Sequence, residues 1–253
     1  MSGGVRTLIT NDDGIDSPGL LRLALSSVDA GLDVVVAAPA AERSGSSAAI
    51  TATESDGSIL IERRRLEGLA EVPCYAVHAA PALISLIAGH GTFGDVPELV
   101  LSGINRGVNL GRVVLHSGTV GAAITAGVNG THAMAVSLDV DGRRDSAHWS
   151  VAARLAQKVV PVLLEQPAGT VFNLNVPQSD SDQLPAIRAA RLAGFGIVQT
   201  TMSERHDHHI RLSVADPTGP LEPGTDAQLL ADGYATLTSI RSISEAPLPP
   251  LEL

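Results

Sequence analysis

Two aspartates stand side by side at the end of an apolar run near the start of the chain. The stretch LITNDDGIDSPGLLRLA covers residues 8–24, and Asp12 and Asp13 separate its apolar beginning from a helix-like second half. Adjacent carboxylates repel each other, and folding alone does not require such a pair. A divalent cation relieves that repulsion, and hard oxygen ligands favour Mg²⁺, Mn²⁺ or Ca²⁺ over zinc. The pair therefore predicts a metal site.

Two further segments offer oxygen ligands and a phosphate-binding setting. Ser44 lies in the loop APAAERSGSS, and Asn105 lies in SGINRGVNLG. A glycine-rich segment from residue 103 to 118 leads into a predicted helix start that carries Ser117 and Thr119. Backbone N–H groups at a helix start bind phosphate. A metal beside such a cradle favours phosphoryl chemistry, because the cation polarises a phosphoryl oxygen and lowers the pKa of a bound water.

Each of these motifs alone is a common turn, but together they follow successive predicted strands. The carboxyl ends of parallel strands meet at one edge of a sheet, so the loops are expected to form a single site. No GxGxxG motif follows the first strand, which disfavours a dinucleotide-binding domain. The sequence also lacks the GxxxxGK[ST] motif of P-loop enzymes.

The elements that must position these residues begin with a strand–helix–strand unit. Apolar runs at 5–10 and 32–38 have the length and composition of strands buried on both faces. Between them, apolar residues recur at helical spacing. Ser17 and Pro18 suit the N-cap and the first helical position, and Gly31 follows the predicted end. Such a unit makes a right-handed crossover between parallel strands.

The same alternation continues through the first 177 residues. It predicts helices at 80–90, 117–130 and roughly 145–166, and strands at 98–103, 133–138 and 170–176. We therefore predict an α/β fold, a Rossmann-like three-layer sandwich with a mostly parallel sheet, over residues 1–177. Residues 178–253 are predicted to form a β-rich extension that completes the same domain and contributes to oligomerisation.

Composition excludes several classes of partner. The chain has 253 residues, 44% of them hydrophobic but only 2% aromatic, so Ala, Val, Leu and Ile must build the core. The net charge of −10 argues against binding nucleic acid or an anionic membrane. The single cysteine, Cys74, excludes an intrachain disulfide and is expected in the core. No leader peptide or membrane span is recognisable, which predicts a cytoplasmic protein.

Four segments resemble the SurE family of metal-dependent nucleotidases, in the family's order and over most of the chain. They are LITNDDGIDSPGLLRLA, VVVAAPAAERSGSSAAIT, LVLSGINRGVNLGRVVLHSGTVGAAITAG and GTDAQLLADGYATLTSI. The resemblance implies an acid-type phosphatase or 5′-nucleotidase that hydrolyses nucleoside 5′- and 3′-monophosphates with one divalent metal ion per subunit, Mg²⁺ or Mn²⁺. It also implies a C-terminal arm exchanged between subunits of a homodimer or homotetramer.

The resemblance assigns roles to individual positions. It implies that Asp12, Asp13, Ser44 and Asn105 are the metal ligands. The phosphate is then held by a second group, which consists of Asn109, Ser117, Gly118 and Thr119. The expected catalytic set consists of Asp12, Asp13, Asn109, Ser117 and Thr119. Asn11, directly before the aspartate pair, is expected to brace the turn.

The sequence departs from the family pattern where the substrate's base and sugar would be recognised. Residues 77–86 lack the usual Gly-Thr-Pro-x-Asp-like block, and Ala-Ala-Glu at 40–42 replaces an Asp-Arg-Asn-like stretch. His116 stands where a tyrosine is typical. It is a candidate catalytic residue, because imidazole titrates near neutrality and could contact the phosphate or protonate the leaving group. Alternatively, it fills the space that the tyrosine's ring would occupy.

A histidine cluster, RHDHH at 205–209, replaces a family segment that is usually aromatic. The cluster has side chains that could together bind a soft metal, namely those of His206, Asp207, His208 and His209. Neighbouring residues on a strand point to opposite faces, however, so His208 and His209 cannot easily share one ion. A solvated loop or an intersubunit contact is favoured over substrate contact or a second metal.

Two alternative functions stay open at this point. One is a phosphatase of the same family specialised for an unusual nucleotide or sugar phosphate. The other is a metal- or nucleotide-binding module without turnover. Either way, the expected ligand is a small phosphate monoester.

Overall fold

The computed structural model describes residues 4–55, 57–140, 148–178, 183–194, 199–206, 209–215, 220–241 and 243–244; for 54–55 and 199–215 it describes the backbone alone. The strands are β1 Arg6–Thr10, β2 Asp33–Pro39, β3 Glu54–Ser55, β4 Ser58–Ile59, β5 Ile61–Arg64, β6 Cys74–Val77, β7 Leu99–Arg106, β8 His132–Leu138, β9 Val171–Val176, β10 Ile187–Ala189, β11 Gln199–His206, β12 His209–Ala215 and β13 Ala235–Ile240. The helices are α1 Pro18–Asp29, α2 Pro81–Ala88, α3 Gly118–Val128, α4 Trp149–Leu164 and α5 Asp226–Ala231, with a 3₁₀ helix at Gly111–His116.

One nine-stranded sheet forms the centre of the molecule, in the order β10-β13-β9-β8-β7-β1-β2-β6-β5. Strands β6, β2, β1, β7, β8 and β9 are parallel, whereas β5 and β13 pair antiparallel with β6 and β9. Helices α1 and α4 pack on one face, and α2 and α3 pack on the other. The predicted mostly parallel, three-layer α/β fold is confirmed.

Helix α1 begins and ends as its sequence predicts. The Ser17 side chain accepts a hydrogen bond from the Leu20 N–H at 3.2 Å, and Pro18 occupies the first turn. Gly31, with φ of +81°, follows the helix end, in the left-handed conformation that glycine adopts without a steric penalty. The Ser17 cap thus sets where the helix begins after β1, and Gly31 sets where it ends.

The sequence did not reveal the edge strand β5. Its residues Ile61–Arg64 include the most basic stretch of the chain, and all four are exposed. A buried strand face produces an alternation of apolar and polar residues, and a fully exposed edge strand does not. Cys74, on the neighbouring β6, is buried as expected.

The segment after residue 177 contributes two strands to the central sheet. Strand β13 lies between β9 and β10, and β11 pairs with β12 in a separate two-stranded sheet. The predicted strand character of this extension is confirmed, while its domain limits and its role in oligomerisation stay predictions. In the histidine cluster, Asp207 and His208 lie outside the described residues, as do the side chains of His206 and His209. No helix among the described residues is long and apolar enough to cross a membrane.

Asp226 ties this extension to the loop that follows β7. Its carboxylate is fully buried and accepts hydrogen bonds from the backbone N–H groups of Gly111, at 2.7 Å, and of Ala193 and Ala227, both at 2.9 Å. Three donors satisfy a charge that would otherwise be costly to bury. Gly111 starts the 3₁₀ helix that precedes α3, so Asp226 helps to set the position of α3.

Replacing Asp226 with Asn should destabilise the protein by about 3 kcal/mol, because an amide oxygen accepts these hydrogen bonds less strongly and its NH₂ group meets other donors. Urea denaturation followed by circular dichroism measures the change. Asp232→Asn is the matched control, since Asp232 is exposed at the end of α5. Equal denaturation midpoints for the two variants would show that Asp226 is not an anchor.

Candidate active site

The polar segments singled out in the sequence lie at one edge of the sheet. Strand β1 lies between β2 and β7, and all three are parallel, so the turns after them are neighbours. The turn after β1 carries Asp12 and Asp13, and the loop after β2 contains Ser44. The Arg43 N–H donates to the Asp12 carbonyl at 2.7 Å, which joins these two loops directly.

Asn11 holds the turn that presents the two aspartates. Its side-chain N–H₂ donates to the Gly14 carbonyl and to Ser17 Oγ, both at 3.0 Å, and its Oδ1 accepts from the Gly14 N–H at 3.2 Å. Gly14 has φ of +99°, a conformation that few other residues adopt. The expected bracing role of Asn11 agrees with these contacts, which also connect the turn to the N-cap of α1.

Asp12 is buried and points towards the start of α3. It is only 4% exposed, and its Oδ1 accepts a hydrogen bond from Thr119 Oγ1. Burial raises the pKa of Asp12, because the charged form loses its hydration, while the bond from Thr119 opposes that rise. This carboxylate therefore sits where a cation would stabilise its charged form.

Asp13 is half-buried and points towards the end of β7. Its Oδ2 accepts from the Arg106 backbone N–H at 3.2 Å. Burial and the negative charge of Asp12 raise the pKa of Asp13 to about 6, and Glu42 contributes further repulsion. The two adjacent carboxylates are thus held by different elements and face different surroundings.

Two glycines on one face of α3 let the loop after β2 pack closely against the helix. A Cβ on Gly121 would lie 2.1 Å from the Ser47 carbonyl oxygen, and one on Gly118 would lie 2.8 Å from Asp12 Oδ2. Ser47 also bonds to the segment before α3: its N–H donates to the His116 carbonyl at 3.3 Å and its Oγ to the Leu115 carbonyl at 2.6 Å. No larger residue fits at either glycine without moving the loop.

Ser46 is the residue of this site that sequence reasoning missed. Its Oγ is buried and has no hydrogen-bond partner among the described residues. A Cβ on Gly118 would lie 2.5 Å from this Oγ, which places the hydroxyl beside the Asp12 carboxylate and the first residue of α3. The only signal in the sequence is its position two residues after Ser44, and a serine in a glycine-containing loop is usually solvated.

Ser44 and Asn105, the other two predicted metal ligands, differ in what their side chains contact. The Asn105 side-chain N–H₂ donates to the Gly107 carbonyl at 2.7 Å, and this orients the amide so that its Oδ1 is available as a ligand. Ser44 is exposed, and its Oγ donates to Glu42 Oε1 at 2.5 Å. The Ser44 hydroxyl therefore faces Glu42 rather than the aspartate pair, although its loop is bonded to Asp12.

The remaining predicted residues divide into two groups. Ser117 caps α3, with its Oγ accepting from the Val120 N–H at 3.1 Å, and Gly118 and Thr119 lie beside Asp12. Asn109 instead bonds at the ends of β8 and β9, to Ser137, Asn173 and Asn175. His116 is exposed at the end of the 3₁₀ helix. The structure thus brings the α3 start to Asp12, and the chemical roles of Asn109 and His116 stay predictions.

The donor set fits a hard divalent cation. It combines two carboxylates of raised pKa, an amide oxygen and hydroxyl groups, which are the ligands that Mg²⁺ and Mn²⁺ prefer. Within the described ranges, no three His, Cys, Asp or Glu side chains cluster as a metal site would need, so the oxygens of Ser and Asn would have to complete the set. The buried Ser46 hydroxyl adds a further polar atom that lacks a partner.

Comparison with known proteins identifies relatives along most of the chain. A model of the family described as Survival protein SurE matches residues 7–198. The chain is 32% identical over 250 residues to the 5′-nucleotidase SurE of Natranaerobius thermophilus, covering 94% of this chain and 93% of the relative. It is 38% identical over 189 residues to the 5′-nucleotidase SurE of Symbiobacterium thermophilum, covering 73% and 71%. The crystal structure of the SurE protein from Aquifex aeolicus superposes with a TM-score of 0.74 at 26% identity, covering 92% of each chain.

The raised pKa of Asp13 predicts a pH-dependent stability. An unfolded aspartate has a pKa of ~4, so the folded protein binds this proton more tightly, and the stability that the proton contributes is lost as the pH rises from about 4 to about 6. In EDTA, Asp13→Asn should therefore exceed the wild type in unfolding free energy by about 1–2 kcal/mol at pH 7, discounted for solvent screening. At pH 5, midway between the two pKa values, this difference should fall to about half.

Urea denaturation at both pH values measures this difference, with Asp95→Asn as the control at an exposed carboxylate before β7. A gain in Asp13→Asn that is equal at pH 5 and pH 7 would exclude a raised pKa as its cause.

The unpartnered hydroxyl of Ser46 predicts opposite effects for two neighbouring substitutions. Ser46→Ala should raise the unfolding free energy by about 1 kcal/mol, because it removes a buried group without a hydrogen bond. Ser47→Ala should lower it by a similar amount, because it loses the bond to the Leu115 carbonyl. Thermal denaturation of both variants in EDTA distinguishes them, and destabilisation by Ser46→Ala would show that this hydroxyl has a partner.

Proposed function

This chain belongs to the SurE family, and we propose that it is a divalent-metal-dependent phosphomonoesterase that hydrolyses nucleoside 5′- and 3′-monophosphates to nucleoside and phosphate. The observation that carries the proposal is the pair Asp12 and Asp13 at the β1 end, beside the start of α3. Relatives at 32% identity over nearly the whole chain are named 5′-nucleotidases, which supports the reaction class.

The metal ligands in this proposal are Asp12, Asp13, Asn105 and Ser44. Asp12 and Asp13 supply the negative charge, and the orientation of the Asn105 amide supplies a neutral oxygen. Ser44 joins them through a rotation of its side chain away from Glu42. One Mg²⁺ or Mn²⁺ ion per subunit would polarise the phosphoryl group and activate water for attack.

The start of α3 would bind the phosphate. The helix has 11 residues, and its first N–H groups and positive dipole end favour an anion. Gly118 allows close approach to this backbone, because a side chain there would collide with Ser46 and Asp12. Thr119 donates its hydroxyl hydrogen to Asp12 and so fixes the direction of that carboxylate. Holding the phosphate between this helix and the aspartate pair orients it for in-line displacement.

Asp13 is the better placed of the two carboxylates to act on a water molecule. The Asp12 side chain is bonded to Thr119 and only 4% exposed, whereas Asp13 is half-buried beside an open cavity. Asp13 would therefore orient the attacking water in addition to its role as a ligand.

The wider setting of the enzyme belongs to the same proposal. We infer a cytoplasmic homodimer or homotetramer in which residues 178–253 contribute to the subunit contact. Light scattering of the purified protein measures the number of subunits. The excess of acidic residues argues that the substrate is a small phosphate monoester rather than a nucleic acid.

The central test is phosphate release from a panel of phosphomonoesters in Mg²⁺, Mn²⁺ and EDTA. The wild type should release phosphate from nucleoside monophosphates with either metal and none in EDTA. Asp13→Asn should lower kcat/KM at least about 100-fold while its circular dichroism spectrum and oligomeric state stay unchanged. Asp95→Asn, which removes a charge at the opposite edge of the sheet, should retain activity.

Full activity of Asp13→Asn would refute the assignment of this site. Phosphate release restricted to sugar phosphates would instead favour the specialised phosphatase, and tight AMP binding without release would favour the binding module.

A further inference from the structure

A cavity of about 380 Å³ opens beside Asp13, on the side of the sheet that faces away from α3. Its lining comes from the turn after β1, the start of α1, the loop after β2, Arg106 at the end of β7 and the first residue of α4. Asp13 belongs both to this cavity and to the proposed metal site. A molecule bound here would therefore adjoin the aspartate pair from the side opposite the phosphate cradle.

The cavity contains the only tryptophan of the chain. Trp149 is the first residue of α4 and is partly exposed. It packs against the beginning of α1 at Gly19, where a Cβ would lie 3.1 Å from the ring atom Cζ3 and 2.1 Å from the Ile104 carbonyl oxygen. The indole thus packs against the start of α1, and part of its ring lines the cavity. A ring in this setting suits a flat aromatic ligand.

Charged residues also line the cavity, namely Asp16, Glu42 and Arg106. Glu42 lines the cavity and lies close enough to Asp13 to raise its pKa. Asp16 is fixed by Arg64, whose Nη2 donates to both carboxylate oxygens at 2.9 Å. Carboxylates accept hydrogen bonds from hydroxyl and amino groups. The cavity therefore suits a ligand that has an aromatic ring and hydroxyl groups.

We propose that this cavity binds the nucleoside part of the substrate, with the base stacked on Trp149 and the sugar hydroxyls directed to Glu42. The inference rests on the proposed function, since the phosphate must lie at Asp12 and Asp13. The volume is within the range of small-molecule sites, which starts at about 300 Å³. Stacking on one ring tolerates different bases, so Trp149 gives a preference for nucleotides over other phosphate esters without selecting one base.

The kinetic test compares a substrate that has a base with one that lacks it. The ratio of kcat/KM for AMP to kcat/KM for glycerol 2-phosphate should fall about 10-fold in Trp149→Ala, mainly through a higher KM for AMP. Trp149→Phe is the matched control, because it keeps an aromatic ring and should retain the ratio within about threefold. A ratio unchanged in Trp149→Ala, at an unchanged denaturation midpoint, would overturn the inference.

A binding measurement separates this inference from the proposed function. Because the chain has a single tryptophan, tryptophan emission reports on the surroundings of Trp149 alone, and these include the cavity. Adenosine should change the emission saturably in the wild type, Glu42→Gln should weaken that binding, and glycerol should cause no change.

The outcomes are distinct. If the wild type hydrolyses neither AMP nor glycerol 2-phosphate with Mn²⁺, the proposed function fails, whereas the adenosine titration still tests the cavity. If AMP is hydrolysed and adenosine leaves the emission unchanged, the cavity proposal fails and the proposed function stands.

Discussion

The repulsion between Asp12 and Asp13 is the constraint on which the rest of the site depends. Two ionised carboxylates on consecutive residues, one of them 4% exposed, are costly unless protons or a cation neutralise them. This cost is borne in the turn after β1, where the Asn11 side chain donates two hydrogen bonds and accepts a third. A fold that had only to be stable would place apolar or singly charged residues there, so the pair indicates function.

The surrounding elements keep the two carboxylates apart by giving each its own partner. Asp12 is held by Thr119 on α3, and Asp13 is held by the backbone of Arg106 at the end of β7. Because α3 lies on one face of the sheet and the cavity beside Asp13 opens on the other, the pair marks the boundary between two chemically different spaces. The α3 side offers N–H donors, and the cavity side is lined by an indole, by carboxylates and by Arg106. In the proposal, the phosphate would lie on the α3 side and the nucleoside on the cavity side.

Sequence reasoning predicted the fold and the meeting of the polar loops at one edge of the sheet, because both depend on local patterns. Alternating strands and helices give a parallel sheet, and polar loops at its strand ends must meet at one edge. The details it missed depend on contacts between distant segments. Strand β5 has four exposed residues and no alternation, and β13 enters the sheet between β9 and β10, which no local pattern specifies. A sequence motif likewise does not specify that Asn109 forms hydrogen bonds to Ser137 on β8 and to Asn175 on β9.

Ser46 and Trp149 show most clearly why the rest of the site could not be predicted. Ser46 becomes buried only because Gly118 and Gly121 admit the loop after β2 to the surface of α3, a contact across more than 70 residues of sequence. Trp149 reaches the site because Gly19 leaves room for its ring at the start of α1. In both cases a glycine on one element decides what a side chain on another can do. A glycine in a sequence shows that space is left open, and only the packed structure shows which side chain occupies it. In the proposed function, substrate recognition would depend on these glycine-mediated contacts as well as on the residues that carry the chemistry.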